Sequence, residues 1–178
     1  MRAIPILLAT VFAMTTLMSG LSAADEGNPN IDYAGFLRQA AKVGKEREKR
    51  RVTVDQFLEM IQDEDTILLD ARSVAMFKTL HVRGAVNLPF PDFTEATLAK
   101  VIPNKKTRVV IYCNNNFKNA SQAFATKASI ASLNINTFNA LRSYGYENVY
   151  ELKPLVDAKN TKIPFGGTAA DKDGRLKD

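Results

Sequence analysis

Ile67-Leu68-Leu69-Asp70-Ala71-Arg72, followed by Val74, Phe77 and then His81-Val82-Arg83-Gly84-Ala85-Val86-Asn87-Leu88-Pro89, is the stretch from which the fold is read. Ile67 to Leu69 form a short apolar run that ends at a carboxylate, the pattern of a strand buried on both faces. A helical turn through Val74 and Phe77 comes next, and Ala85 to Leu88 reads as a second short strand stopped by Pro89.

Outward from this stretch the alternation continues. Thr53 with Gln56 forms a capping box for a helix carrying Val54, Phe57, Leu58 and Ile61. Val109 to Tyr112 is the most strand-like segment of the chain. Asn136 is placed to cap a helix from Thr137 to Tyr144 closed by Gly145, and Asn148 to Leu152 makes a last strand. Short apolar strands separated by helices predict an α/β domain with a parallel central sheet and helices on both faces.

Cys113, the only cysteine, follows the strand Val109 to Tyr112 and precedes Asn114-Asn115-Asn116-Phe117-Lys118. Open α/β sheets place their reaction sites at the carboxyl ends of strands. Backbone N–H groups turned toward the sulfur would favour a thiolate or a bound anion. The alternative is an inert buried thiol, since free cysteine is among the most buried residue types. Lys118 can attract an anion to the rim, and Phe117 either walls the pocket or joins the core.

The quoted motif, the strand ending in Cys113, and Gly145-Tyr146-Glu147-Asn148-Val149-Tyr150 together resemble the rhodanese-like domain family over about Val52 to Pro164. The resemblance implies a rhodanese-like fold over residues 52–165 and sulfane sulfur carried as a persulfide on Cys113. The donor would be a small sulfur-containing anion such as thiosulfate, and the acceptor a thiol or a cyanide-like species. Residues 114–118 would bind the donor, while Asp70 and Arg72 would tie the sheet to neighbouring loops. His81 and Gly84 belong to the same motif, His81 as a turn-stabilising residue or else a proton shuttle. Asn116 and Lys118 stand where rhodanese loops often carry glycine and arginine, which marks a divergent member. Lys153-Pro154 replaces a frequent glycine pair, and residues 128–133 resemble an insertion. The function this resemblance implies is a periplasmic sulfurtransferase or persulfide carrier with Cys113 as the sulfur-accepting nucleophile; a non-catalytic module that binds an anion or a protein is the alternative.

Other chemistries fit poorly. A cysteine phosphatase needs an arginine six residues after its nucleophile, where this chain has Asn119. One cysteine and one distant histidine do not make a metal site, and no cofactor is implied.

Residues 1–24 read as a signal peptide: Arg2, an apolar Ile4 to Met18, and Ser22-Ala23-Ala24 before a cut after Ala24. Left uncleaved, the stretch is just long enough to span a bilayer; cleaved, it leaves no stable membrane span. The mature chain is expected in the periplasm or secreted, with a periplasmic protein as a possible partner. Of the 178 residues 154 then remain, enough for one core, and the net charge falls from +5 to +4. Residues 25–51 form an N-terminal extension, with Ile31, Phe36, Leu37, Ala40 and Ala41 able to share a helix face. Lys45 to Arg51 is expected as a solvated helical or linker face, or else as a contact for anionic lipid or nucleic acid. It has no interleaved aromatics for nucleic-acid stacking. Residues 166–178, small and charged, are expected to be a disordered tail.

Overall fold

The computed structural model describes residues 28–177, so the signal peptide and its cleavage site lie outside the described residues. The elements in chain order are α1 (Tyr33–Glu48), β1 (Arg51–Val52), α2 (Val54–Ile61), β2 (Thr66–Asp70), α3 (Val74–Thr79), β3 (His81–Val82) and β4 (Val86–Asn87). They continue with α4 (Glu95–Val101), β5 (Arg108–Tyr112), β6 (Phe117–Lys118), α5 (Leu133–Ser143), β7 (Val149–Leu152), β8 (Val156–Asp157) and β9 (Phe165–Gly166).

Five strands form one parallel sheet in the order β1-β7-β5-β2-β4. Alternate residues of each strand enter opposite layers. Leu68, Val110 and Tyr112 join Phe57, Phe117, Phe124 and Phe165 in one core. Leu69, Val109 and Ile111 join Val43, Leu98, Phe138 and Leu141 in the other. The expected parallel sheet with helices on both faces is what forms. The capping box of α2 is also present, with Thr53 and Gln56 each accepting from the other's backbone N–H.

Three expectations are corrected. The charged run is solvated on one side only: Lys45, Glu48 and Lys49 are exposed, whereas Arg47 and Arg51 reach the buried carboxylate of Glu151, with Nε and Nη2 of Arg47 at 2.8 and 2.6 Å and Nε of Arg51 at 3.0 Å. Burial pushes the Glu151 carboxyl above its usual pKa, against the downward pull of both arginines. Arg51 also begins the sheet, opposite Glu151 in register, so the extension and the domain share one unit. Along α1 the buried apolar residue is Val43, whereas Phe36 and Leu37 are exposed.

The tail is ordered through residue 177. Phe165 and Gly166 pair antiparallel with Val82 and His81, and Phe165 N–H donates to the carbonyl of Gly174. Ala170 bridges Leu176. At Gly167, φ is +106°, and a Cβ would meet the Thr79 carbonyl oxygen at 2.7 Å, so only glycine lets the chain turn against α3 here. Backbone pairing orders a segment whose polar composition suggested disorder.

The third correction concerns α5, which starts at Leu133, four residues before the expected Thr137. Between Phe117 and α5 the chain makes no second helix directly behind the cysteine. It runs through β6, an extended stretch and a 3-10 turn at Ser129–Ala131.

Candidate functional site

Asp70 and Tyr112 are opposite one another at the carboxyl ends of β2 and β5. Arg72 lies two residues past Asp70 and bends back to it, its Nε at 2.9 Å and Nη2 at 2.5 Å from the carboxylate. Nη1 and Nη2 also donate to the carbonyls of Ala123 and Leu80, respectively, both at 2.8 Å. Tyr112 Oη donates to Asp70 at 2.5 Å and accepts from Val82 N–H at 3.0 Å. The guanidinium also lies 4.1 Å over the Phe124 ring. Burial opposes the Arg72 charge, but its hydrogen bonds and attraction to Asp70 prevail and raise its pKa. Burial, with Asp70 beside it, holds the Tyr112 phenol well above its usual value.

This cluster is the tie between sheet and loops that the motif implies for Asp70 and Arg72. Tyr112, which completes it, was read only as a strand residue. Its partner on the next strand is visible only once β2 and β5 are in register.

Cys113 follows Tyr112 in extended backbone, so its side chain leaves the sheet on the opposite face. The thiol is enclosed, with the residue 1% exposed. Its sulfur lies 3.5 Å from the hydroxyl of Ser132, the residue at the N-cap position of α5. That hydroxyl makes no capping bond to the helix. The positive end of an 11-residue helix is thereby brought to the thiol, although the helix begins far along the chain.

Two of the backbone amides after the cysteine are spent on a local turn. Asn116 N–H donates to the Cys113 carbonyl, and Phe117 N–H to that of Asn114, which closes a 3-10 turn over Asn114–Asn116. Asn114 is buried. Asn115 exchanges two bonds with the backbone of Lys127, at 2.9 and 3.0 Å, and so fastens the segment leading to Ser132.

Asn116 is the hub of the loop. Its Oδ1 accepts from Cys113 N–H at 2.9 Å and from Asn134 Nδ2 at 3.0 Å, and its Nδ2 donates to the carbonyls of Leu152 and Pro154. Asn134 Oδ1 and Thr137 Oγ1, both buried on α5, have no hydrogen-bond partner among the described residues.

Phe117 does not wall the thiol. It packs with Phe124, Tyr112 and Phe165 in the core of the other face, its ring 4.5 Å from that of Phe124. Lys118 is exposed on the short β6–β8 pair, opposite Asp157. His81 stacks on Phe77 at 3.9 Å, with its Nδ1 2.8 Å from the Phe77 carbonyl oxygen. Gly84 follows β3 with φ +86°. His81 and Gly84 thus both lie in the turn that follows α3. Among the described residues, no cluster of three or more His, Cys, Asp or Glu side chains is placed to hold a metal.

A parallel α/β sheet with a lone cysteine at the end of its central strand defines the class. The family model described as Rhodanese-like domain matches residues 53–154, more than half of the chain. The chain belongs to the rhodanese-like domain family. Its fold is similar to that of the BH2092 protein from Bacillus halodurans, with a TM-score of 0.50 at 18% identity over 74% of this chain and 87% of that one. A variant of EanB in complex with hercynine aligns with a TM-score of 0.50 at 16% identity, over 67% of this chain but 28% of that chain. These likenesses are of fold. No curated protein matches the chain.

Proposed function

We propose that this protein is an exported rhodanese-like binding module that does not turn over sulfur donors, with a periplasmic protein as its partner. One observation carries this reading: Cys113 is 1% exposed, beneath a loop in which the Asn116 and Phe117 amides already have backbone acceptors. Attack of the Cys113 thiolate on the outer sulfur of thiosulfate, which expels sulfite, and withdrawal of the sulfane sulfur by an acceptor each need an open approach to the sulfur. Two of the loop amides are committed to the 3-10 turn and the thiol is enclosed, so a protein ligand is favoured over a small anion.

A second reading has a specific observation behind it. Ser132 and the first turn of α5 face the sulfur, a setting suited to an anionic persulfide. A sulfur carrier would need the 125–132 segment to open.

The two are separated by intact-mass measurement of folded, reduced protein after thiosulfate or polysulfide treatment. The binding module predicts no gain of a sulfur atom, and slow alkylation of Cys113 that becomes fast only in denaturant. A one-sulfur adduct on the wild type, absent from Cys113→Ser, together with transfer to cyanide, establishes the carrier instead. Export is tested by N-terminal sequencing of protein from the periplasmic fraction, where a start at Asp25 is expected.

A further inference from the structure

The outward side of α1 carries two stripes that the core does not use. Tyr33, Leu37 and Ala41 recur every four residues along one stripe, and Phe36 and Ile31 border its first turn. Tyr33, Leu37, Phe36 and Ile31 are 68, 50, 48 and 60% exposed. Arg38, Lys42, Lys45 and Lys49 follow at spacings of four, three and four, which places them in a second row alongside. Val43, Glu46 and Arg47 face inward, toward α5 and Glu151.

The charges on this side are lopsided. Asp32 sits 3.6 Å from Arg38, and Glu48 lies 3.4 Å from Arg51. Lys42, Lys45 and Lys49 pair with no carboxylate among the described residues. An exposed apolar row beside a basic row is the arrangement by which a helix lies in a lipid headgroup region: the apolar side chains enter the acyl boundary and the lysines meet anionic phosphates.

We propose that α1 docks the protein on an anionic phospholipid surface, peripherally, with Tyr33, Phe36 and Leu37 in contact with lipid and Lys42, Lys45 and Lys49 over the headgroups. No helix among the described residues is long and apolar enough to cross a membrane, so the contact is one of surface attachment. It is independent of what Cys113 does.

The test is co-sedimentation of the chain starting at Asp25, which keeps all of residues 28–177, with vesicles of two compositions. Binding is expected to equimolar phosphatidylglycerol and phosphatidylcholine, but not to phosphatidylcholine alone, and to weaken with added salt. Lys42→Glu with Lys45→Glu should lower the partition coefficient at least about tenfold. Tyr33→Ser with Leu37→Ser should lower it comparably, and both pairs should keep the wild-type denaturation midpoint because these side chains are exposed. Equal binding to both vesicles, binding to neither, or binding undiminished in either double variant overturns the proposal. Self-association in the absence of vesicle binding, lost in Leu37→Ser, would give the face to a second copy of the chain and overturn it as well.

Discussion

Ser132 stands at the N-cap position of α5, yet its hydroxyl lies 3.5 Å from the sulfur of Cys113 and caps nothing. A serine at this position ordinarily accepts from an amide of the first helical turn. Here the cap is given up, and the hydroxyl joins the end of β5 to the start of α5 across 19 residues of chain. Ser132→Ala should therefore destabilise the protein by less than about 0.5 kcal/mol in denaturant titration, below the roughly 1 kcal/mol of a working cap. A loss of 1 kcal/mol or more would mean that the hydroxyl caps the helix in solution.

Access to Cys113 depends on the segment held by Asn115. The two bonds between Asn115 and the Lys127 backbone are partly exposed, so together they contribute on the order of 1 kcal/mol to keeping it closed. Asn115→Ala should raise the native-state alkylation rate of Cys113 about fivefold while the global midpoint changes little. An unchanged rate would show that the thiol is reached by a different opening.

Asn116 holds four buried or partly buried hydrogen bonds, so its removal is costly. Asn116→Ala strands the amide of Cys113 and the carbonyl of Leu152, and should lower stability by about 3 kcal/mol. Asn116→Gly, which restores the residue common in rhodanese loops, should fail to recover this stability. Chemical denaturation decides both, and a near-neutral glycine variant would refute the hub role.

Arg72→Ala leaves the Asp70 carboxylate without its buried partner and should cost about 3–5 kcal/mol. Tyr112→Phe removes one hydrogen bond to Asp70 and leaves Val82 N–H unpaired, and should cost about 1–3 kcal/mol. The double variant should lose less than the sum of the singles, since the residues share one network. Strict additivity of the denaturation free energies would argue against that network.

Arg47→Ala should cost about 2 kcal/mol at neutral pH, because Arg47 is partly exposed and Arg51 remains on Glu151. Burial already holds the Glu151 pKa above its ordinary value, and losing Arg47 raises it further. A raised carboxyl pKa adds stability in the protonated form, present in full below the unfolded value and lost as pH rises through the folded one. The variant's deficit should therefore shrink as pH falls toward the ordinary glutamate range. Midpoints followed against pH would show it, and a deficit that grows on acidification would contradict the assignment.

Strand and helix alternation, the Thr53–Gln56 cap and the strand ending in Cys113 are local patterns of apolar spacing and capping, and the sequence by itself determined them. The same patterns, with the run from Leu68 to Pro89, determined the family. Contacts between distant segments needed the tertiary structure. The pairing of Tyr112 with Asp70 requires two strands in register, and that of Arg47 with Glu151 joins residues 104 positions apart. The enclosure of Cys113 likewise depends on where α5 begins, and the 15 residues between Phe117 and Leu133 carry no periodic pattern that marks Ser132. The ordered tail is the same kind of case: backbone bonds to β3, to the Lys78 and Thr79 carbonyls and within the tail itself, rather than composition, fix residues 166–177. Side-chain patterning decides an element from its own residues, whereas burial of a thiol or a charge is a property of whichever segments the fold brings against it.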